Sequence, residues 1–125
     1  MKKVLAISVL FMVLGVYLNA QDQKTIKEIK GTWNYTANQA PYDYQKGKMI
    51  FYEEGGDFKA KLEIQGDVIN TQNLIIEGGK IEFKAYFDYE LITIRLTLKD
   101  GKLEGNADSP DGLIPVSLVK EEKSS

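Results

Sequence analysis

The chain has 125 residues, 16 of them basic and 18 acidic, with neither cysteine nor histidine. That composition excludes a disulfide scaffold, Ser-His and Cys-His nucleophile pairs, His-ligated zinc and thiolate chemistry. It also lacks the basic stripe that nucleic acid demands, so no nucleic-acid partner is expected.

Lys2 and Lys3 precede an apolar run from Val4 to Leu18, and Asn19-Ala20 stand before Gln21. A basic start, an apolar middle and a small residue at the cut predict a secretory signal peptide over residues 1–20. An uncleaved anchor is the competing reading, because Leu18 is bulky for its position two before the cut. Cleavage after Ala20 leaves 105 residues, and losing Lys2 and Lys3 leaves 14 basic groups against 18 acidic ones, a net charge of −4. Such a length buries one modest core. The mature chain is expected to be soluble, secreted or periplasmic, with no membrane span.

Residues 21–30 read as a polar N-terminal linker, in which one helical turn would put Ile26 and Ile29 on the same side. The domain itself is expected over residues 31–120. In the first strand, Gly31 to Ala37, Trp33 and Tyr35 alternate with Thr32, Asn34 and Thr36. Asn38 to Lys46 is the longest irregular segment and carries Pro41, Tyr42 and Tyr44. A second strand with Met49 and Phe51 inward and a third with Phe58, Ala60, Leu62 and Ile64 meet at Gly55-Gly56, which suits a tight turn. The fourth strand has a parity fault. A turn at Gly66-Asp67 puts odd positions inward at its start, whereas Gly78-Gly79 puts even positions inward at its end. One extra residue between Thr71 and Asn73, a β-bulge, reconciles the two.

Lys80 to Ala107 carries three consecutive strands. Ile81, Phe83, Ala85 and Phe87 alternate with polar residues, as do Ile92, Ile94, Leu96 and Leu98. Asp100-Gly101 sets Leu98 opposite Leu103, Leu96 opposite Gly105 and Ile94 opposite Ala107. A turn at Tyr89-Glu90 sets Phe87 opposite Ile92, Ala85 opposite Ile94 and Phe83 opposite Leu96. Ser109-Pro110-Asp111-Gly112 is a type I turn signature, and an eighth strand follows with Ile114, Val116 and Leu118. Residues 121–125 form a polar tail. Short strands joined by tight turns predict an all-β, eight-stranded antiparallel up-and-down meander closing as a small barrel, with a two-sheet sandwich as the alternative.

Gly31-Thr32-Trp33, following a turn of helix, resembles the first-strand motif of the lipocalins and related calycin barrels. The run KIEFKAY…ITIRLTLKDGKLEGNADSPDG is similar to small exported bacterial domains of lipocalin-like type, which occur alone or attached to secreted hydrolases. The resemblance spans Gly31 to Lys120. It implies a small lipocalin-like barrel and a binding role without an assigned activity. Lipocalins set an arginine from the last strand over the tryptophan; here the only arginine is Arg95, on the sixth strand, and the last offers Lys120. Small periplasmic inhibitors of secreted metalloproteases share the barrel and the Gly-x-Trp, but carry a disulfide that this chain cannot form.

Glu63, Glu82 and Glu104 fall on the polar strand faces, where charges are solvated, so no catalytic pair is expected. Asp108 and Asp111 are far short of a calcium loop. No cofactor and no metal are expected, and the chain reads as non-enzymatic. The aromatic residues Trp33, Tyr35, Tyr42, Tyr44, Phe51 and Phe87 are the candidate ligand-binding set, since such rings suit an apolar or glycan ligand. The expected role is an exported binding module for such a ligand. The alternative is a protein-interaction or inhibitor domain acting on a secreted or periplasmic partner. Most inward residues are large, so the interior is expected to be largely filled, with at most a shallow pocket bounded by Trp33, Phe51, Phe87 and the Tyr42/Tyr44 loop.

Overall fold

The computed structural model describes residues 20–122. Residues 1–19 of the expected signal peptide and 123–125 of the expected tail lie outside them. The described residues form α1 (Ala20–Ile29), β1 (Gly31–Thr36), a 3-10 turn (Tyr42–Tyr44), β2 (Lys46–Glu54), β3 (Asp57–Ile64), β4 (Asp67–Asn70), β5 (Gln72–Glu77), β6 (Lys80–Phe87), β7 (Glu90–Lys99), β8 (Lys102–Ser109) and β9 (Gly112–Lys120). Neighbouring strands pair antiparallel in the order β4-β3-β2-β1-β9-β8-β7-β6-β5. β4 and β5 are consecutive in the chain yet lie at opposite ends of that order, so the sheet rolls into a nearly closed barrel.

The strand count is nine where the sequence predicts eight, because the fourth strand breaks at Thr71. Thr71 turns both its amide and its hydroxyl to the Ala60 carbonyl, at 3.4 and 2.8 Å. Beyond it the register shifts between Gln72 and Ile75, and Asn73 has φ 54°. The extra residue that parity demands is therefore present, and it divides one strand into β4, paired with β3, and β5, paired with β6. The segment expected as a linker is instead the ten-residue helix α1. Among the described residues no helix is long and apolar enough to cross a membrane.

Two hairpins turn one residue earlier than expected. β3–β4 turns at Gln65-Gly66, so Leu62 rather than Ile64 faces Ile69. β6–β7 turns at Asp88-Tyr89, which sets Ala85 opposite Ile92, Phe83 opposite Ile94 and Ile81 opposite Leu96. In each turn one left-handed position falls to a residue with little preference for it, Gln65 or Tyr89, so the composition misdirects the reading. Side-chain parity survives, because a hairpin turn moved by one residue moves the pairing by two.

The direction of each strand defines two ends. α1 and the β2–β3, β5–β6 and β7–β8 turns lie at one; the Ala37–Gln45 loop and the β3–β4, β6–β7 and β8–β9 turns lie at the other. The first end is closed by packing. Ile29 of α1 is fully buried beside Trp33, Phe51, Phe83, Ile81, Leu96, Leu103 and Leu118. The Trp33 Nε1–H donates to the Ile29 carbonyl at 2.7 Å, satisfying an acceptor left over at the helix C-terminus. Lys120, the last residue of β9, donates to the Glu28 carbonyl at 2.8 Å and holds its ammonium 5.8 Å from the centre of the indole. At the other end of α1, the Asp22 carboxylate accepts from the Gly78 amide in the β5–β6 turn at 2.9 Å. Polar side chains face outward, where Arg95 bridges Glu82 and Asp108 across β6, β7 and β8, at 2.9 and 3.7 Å.

Two substitutions test this account. Trp33→Phe removes the donor to a buried carbonyl and is expected to cost about 1–3 kcal/mol in urea melts. Tyr89, fully exposed, has φ 70° in a two-residue turn. A left-handed non-glycine residue costs about 1–2 kcal/mol, and glycine gives back part of that as unfolded-chain entropy. Tyr89→Gly is therefore expected to stabilise the fold by about 0.5–1 kcal/mol, and a neutral or destabilising outcome would show that the tyrosine ring contributes contacts in solution.

Candidate functional site

The same alternation that fills the closed end leaves the other end hollow, because the residues it turns inward there are smaller. Ala37, just past β1, and Ala107 on β8 line this end, whereas Trp33, Phe51 and Phe83 fill the closed one. Gly47, at the start of β2, keeps the wall thin: a Cβ there would meet the Tyr35 ring at 2.6 Å and the Glu63 carbonyl at 2.8 Å. The result is a cavity of about 630 Å³. Met49, Leu62, Ile94 and Val116 form its floor, and all four are buried. Its rim includes the exposed residues Gln39, Pro41, Asp88, Glu90, Asp111 and Leu113, so it opens to solvent among the turns. This is more than the shallow pocket the sequence implies. Parity identifies the inward residues, but the height at which small ones gather follows from the turns, two of which lie a residue upstream.

Of the six aromatic candidates, Tyr35, Tyr44 and Phe87 line the cavity. Trp33 and Phe51 do not; both are buried in the core, with Trp33 under Lys120 and Phe51 stacked on Phe58 at 6.1 Å. Tyr42 is 82 % exposed on the outside of the loop. The cavity also takes in residues outside the expected ligand-binding set: Asp88, Glu90 and Asp111 at the rim, and Ala37, Ala40 and Ala107 within. Their signal was the position of short polar residues beside the turns, legible once strand direction is assigned.

The loop between β1 and β2 is a strap across one side of the mouth. Its base is closed by the Ala37 amide donating to the Gln45 carbonyl at 2.8 Å, and Gln45 Nε2 donates to the Ala40 carbonyl at 3.1 Å. From inside the barrel, the Tyr35 hydroxyl donates to the Tyr44 carbonyl at 2.9 Å. Tyr44 then meets Phe87 edge to face, with ring centres 5.4 Å apart, and its hydroxyl hydrogen-bonds the Asp88 carboxylate of the β6–β7 turn. The strap thus links β1 to β6 across the side where β4 and β5 part.

These contacts govern the phenols. The hydrogen bond to Asp88 pushes the Tyr44 phenol up to about 12, with desolvation and the charges of Asp88, Asp43 and Asp67 acting in the same direction. Burial, and secondarily Tyr44, pushes Tyr35 up to about 12. Among the described residues no three acidic side chains gather as a metal site would require. Glu63, Glu82 and Glu104 stand away from the cavity.

No protein-family model matches the chain, and no curated protein is similar to it. Among solved structures, a redesigned β-barrel is similar over 78 % of this chain and 96 % of its own, with a TM-score of 0.58 and 15 % identity. At that identity the likeness is one of fold.

Raised phenol values favour the protonated strap. The folded state keeps both protons where an unfolded chain has released them, so this contribution is intact below pH 10 and is lost as pH rises through about 12. Phenolate absorbance is expected to show two late-titrating tyrosines, with stability falling over the same window. Tyr44→Phe should remove one late titration and reduce the fall. A wild-type titration without late phenols would mean that the strap is not held as described.

Proposed function

We propose that this protein is a non-enzymatic exported binding module that holds a small apolar ligand in the open end of its barrel. One observation carries the reading: a cavity of about 630 Å³ with an apolar floor in a domain without disulfides. Small-molecule sites occupy about 300–1,000 Å³ and combine apolar walls with a few polar groups. Empty apolar space costs stability in proportion to its volume, so a small domain that keeps such space gains when a ligand fills it. The apolar floor favours an apolar body over a glycan. Export rests on the basic–apolar–small pattern of Met1 to Ala20.

The lipocalin-like resemblance supports the same reading. Lys120 lies over Trp33 and reaches the helix end, the task the resemblance assigns to an arginine on the last strand. The runner-up, a protein-interaction or inhibitor domain, is favoured by the apolar tip of β6–β7, where Tyr86, Tyr89 and Leu91 are exposed on the outer face.

Ala107→Phe tests the choice, because Ala107 lies between Ile94 and Ile114 on the cavity wall. Binding of an environment-sensitive apolar dye to the mature protein is expected to fall by at least about tenfold in the variant, a loss of roughly 1.4 kcal/mol. Its melting temperature should remain within a few degrees of wild type, since the ring enters existing space. Undiminished dye binding would overturn the cavity as the site. Native mass spectrometry of exported protein separates the two readings by the mass of what is retained.

A further inference from the structure

We propose that the ligand carries a positive charge: an apolar body seated on the cavity floor, with one protonated amine or quaternary ammonium group at the mouth. This rests on the binding reading above and adds the chemical class.

Charge is the first argument. Three carboxylates, those of Asp88, Glu90 and Asp111, line the cavity, and no lysine or arginine does. Five acids outside the cavity are ion-paired. Glu53 pairs with Lys30, Glu54 with Lys59, Glu121 with Lys48, and Glu82 and Asp108 with Arg95. Among the described residues none of these ion pairs reaches a cavity carboxylate. The three cavity carboxylates come from the β6–β7 and β8–β9 turns, which are neighbours around the barrel, so their charge is concentrated at one mouth.

Hydrogen-bonding capacity is the second argument, and it is independent of charge. An anionic or strongly accepting ligand needs donors. The cavity wall holds three hydroxyls, and each donates within the protein. Tyr35 donates to the Tyr44 carbonyl, Tyr44 bonds the Asp88 carboxylate, and Ser109 donates to the Gly112 carbonyl at 2.7 Å. Apart from the exposed Gln39 amide, what remains at the mouth is acceptor capacity in the carboxylates of Asp88, Glu90 and Asp111, which a cationic donor satisfies and which repel a carboxylate. The Tyr44 and Phe87 rings beside them offer π faces, which attract ammonium groups.

A matched series decides it: decyltrimethylammonium and decanoate, each below its micelle concentration, and decanol below its solubility limit, competing with the apolar dye on the mature protein. Wild type is expected to bind the ammonium at least about tenfold more tightly than the alcohol and to bind decanoate most weakly, with the preference shrinking as salt rises. Glu90→Gln/Asp111→Asn, which spares the Tyr44 contact to Asp88, should bring the ammonium and the alcohol within about threefold. If that variant does not fold, the wild-type ranking and its salt dependence decide alone. Equal affinities, or tighter decanoate, would overturn the charge assignment while leaving the binding module standing. Failure of all three probes and of the dye would overturn the binding reading itself.

Discussion

The contact between Trp33 and the end of α1 is the constraint on which the rest of the barrel depends. An indole N–H bonded to the Ile29 carbonyl fixes where the helix stops and where β1 begins. Lys120 over the same ring brings the end of β9 against β1, where Trp33 and Lys120 are paired. The helix then runs to the β5–β6 turn, where Asp22 receives the Gly78 amide. One short helix thereby joins the middle of the strand order to one of its ends. Unpaired strand edges invite association, and covering them is one of the ways natural sheets avoid it. At the closed end α1 provides that cover; at the open end the strap, through Tyr44, Phe87 and Asp88, spans the same side.

The two halves of the barrel follow opposite packing rules. Around Trp33, Phe51 and Phe83 the interior is closed to solvent, and these three side chains have relative exposures of 0–1 %. Above Met49 and Leu62 the inward positions narrow to Ala37 and Ala107, while Tyr35 leans over Gly47 instead of filling the centre. An eight-to-nine-stranded barrel has room for one small ligand or for filling side chains. This chain does both, one at each end, and the filled half supplies the stability that lets the other half stay open.

Much of the strand framework was legible in the sequence because period-two alternation and glycine turns are local signals. Gly55-Gly56, Gly78-Gly79 and Asp100-Gly101 all turn where composition indicates, and the pairs Phe51–Ala60, Ile76–Ile81 and Leu98–Leu103 follow from them. The parity fault at Thr71 to Asn73 was legible as well, although its consequence, a break into two strands, depends on the partner strands diverging. The site was less legible. Parity distinguishes inside from outside but not one end of a barrel from the other, so Trp33 and Phe51 were grouped with Tyr35, Tyr44 and Phe87. The helix was also obscured, since its ten residues are mostly polar and it is committed to the barrel by buried Ile29 and by hydrogen bonds to Trp33, Gly78 and Lys120, which are distant in sequence or invisible to periodicity.

Backbone strain falls at the same end as the cavity carboxylates. Gly55-Gly56, Gly78-Gly79 and Asp100-Gly101 take left-handed values with a glycine second, at little cost. The β6–β7 turn takes them with Asp88 at φ 50° and Tyr89 at φ 70°, and the tyrosine ring is wholly in solvent, so burial does not repay it. Asp-Gly would serve the hairpin better. The left-handed Asp88 carries the carboxylate that receives the Tyr44 hydroxyl, so the turn that costs most in backbone terms also latches the strap and borders the cavity. Residues held in unfavourable backbone regions cluster at ligand clamps and switch segments. Here the strained hairpin, the strap and the acidic rim meet at one mouth, whereas each left-handed turn at the closed end has a glycine in its second position.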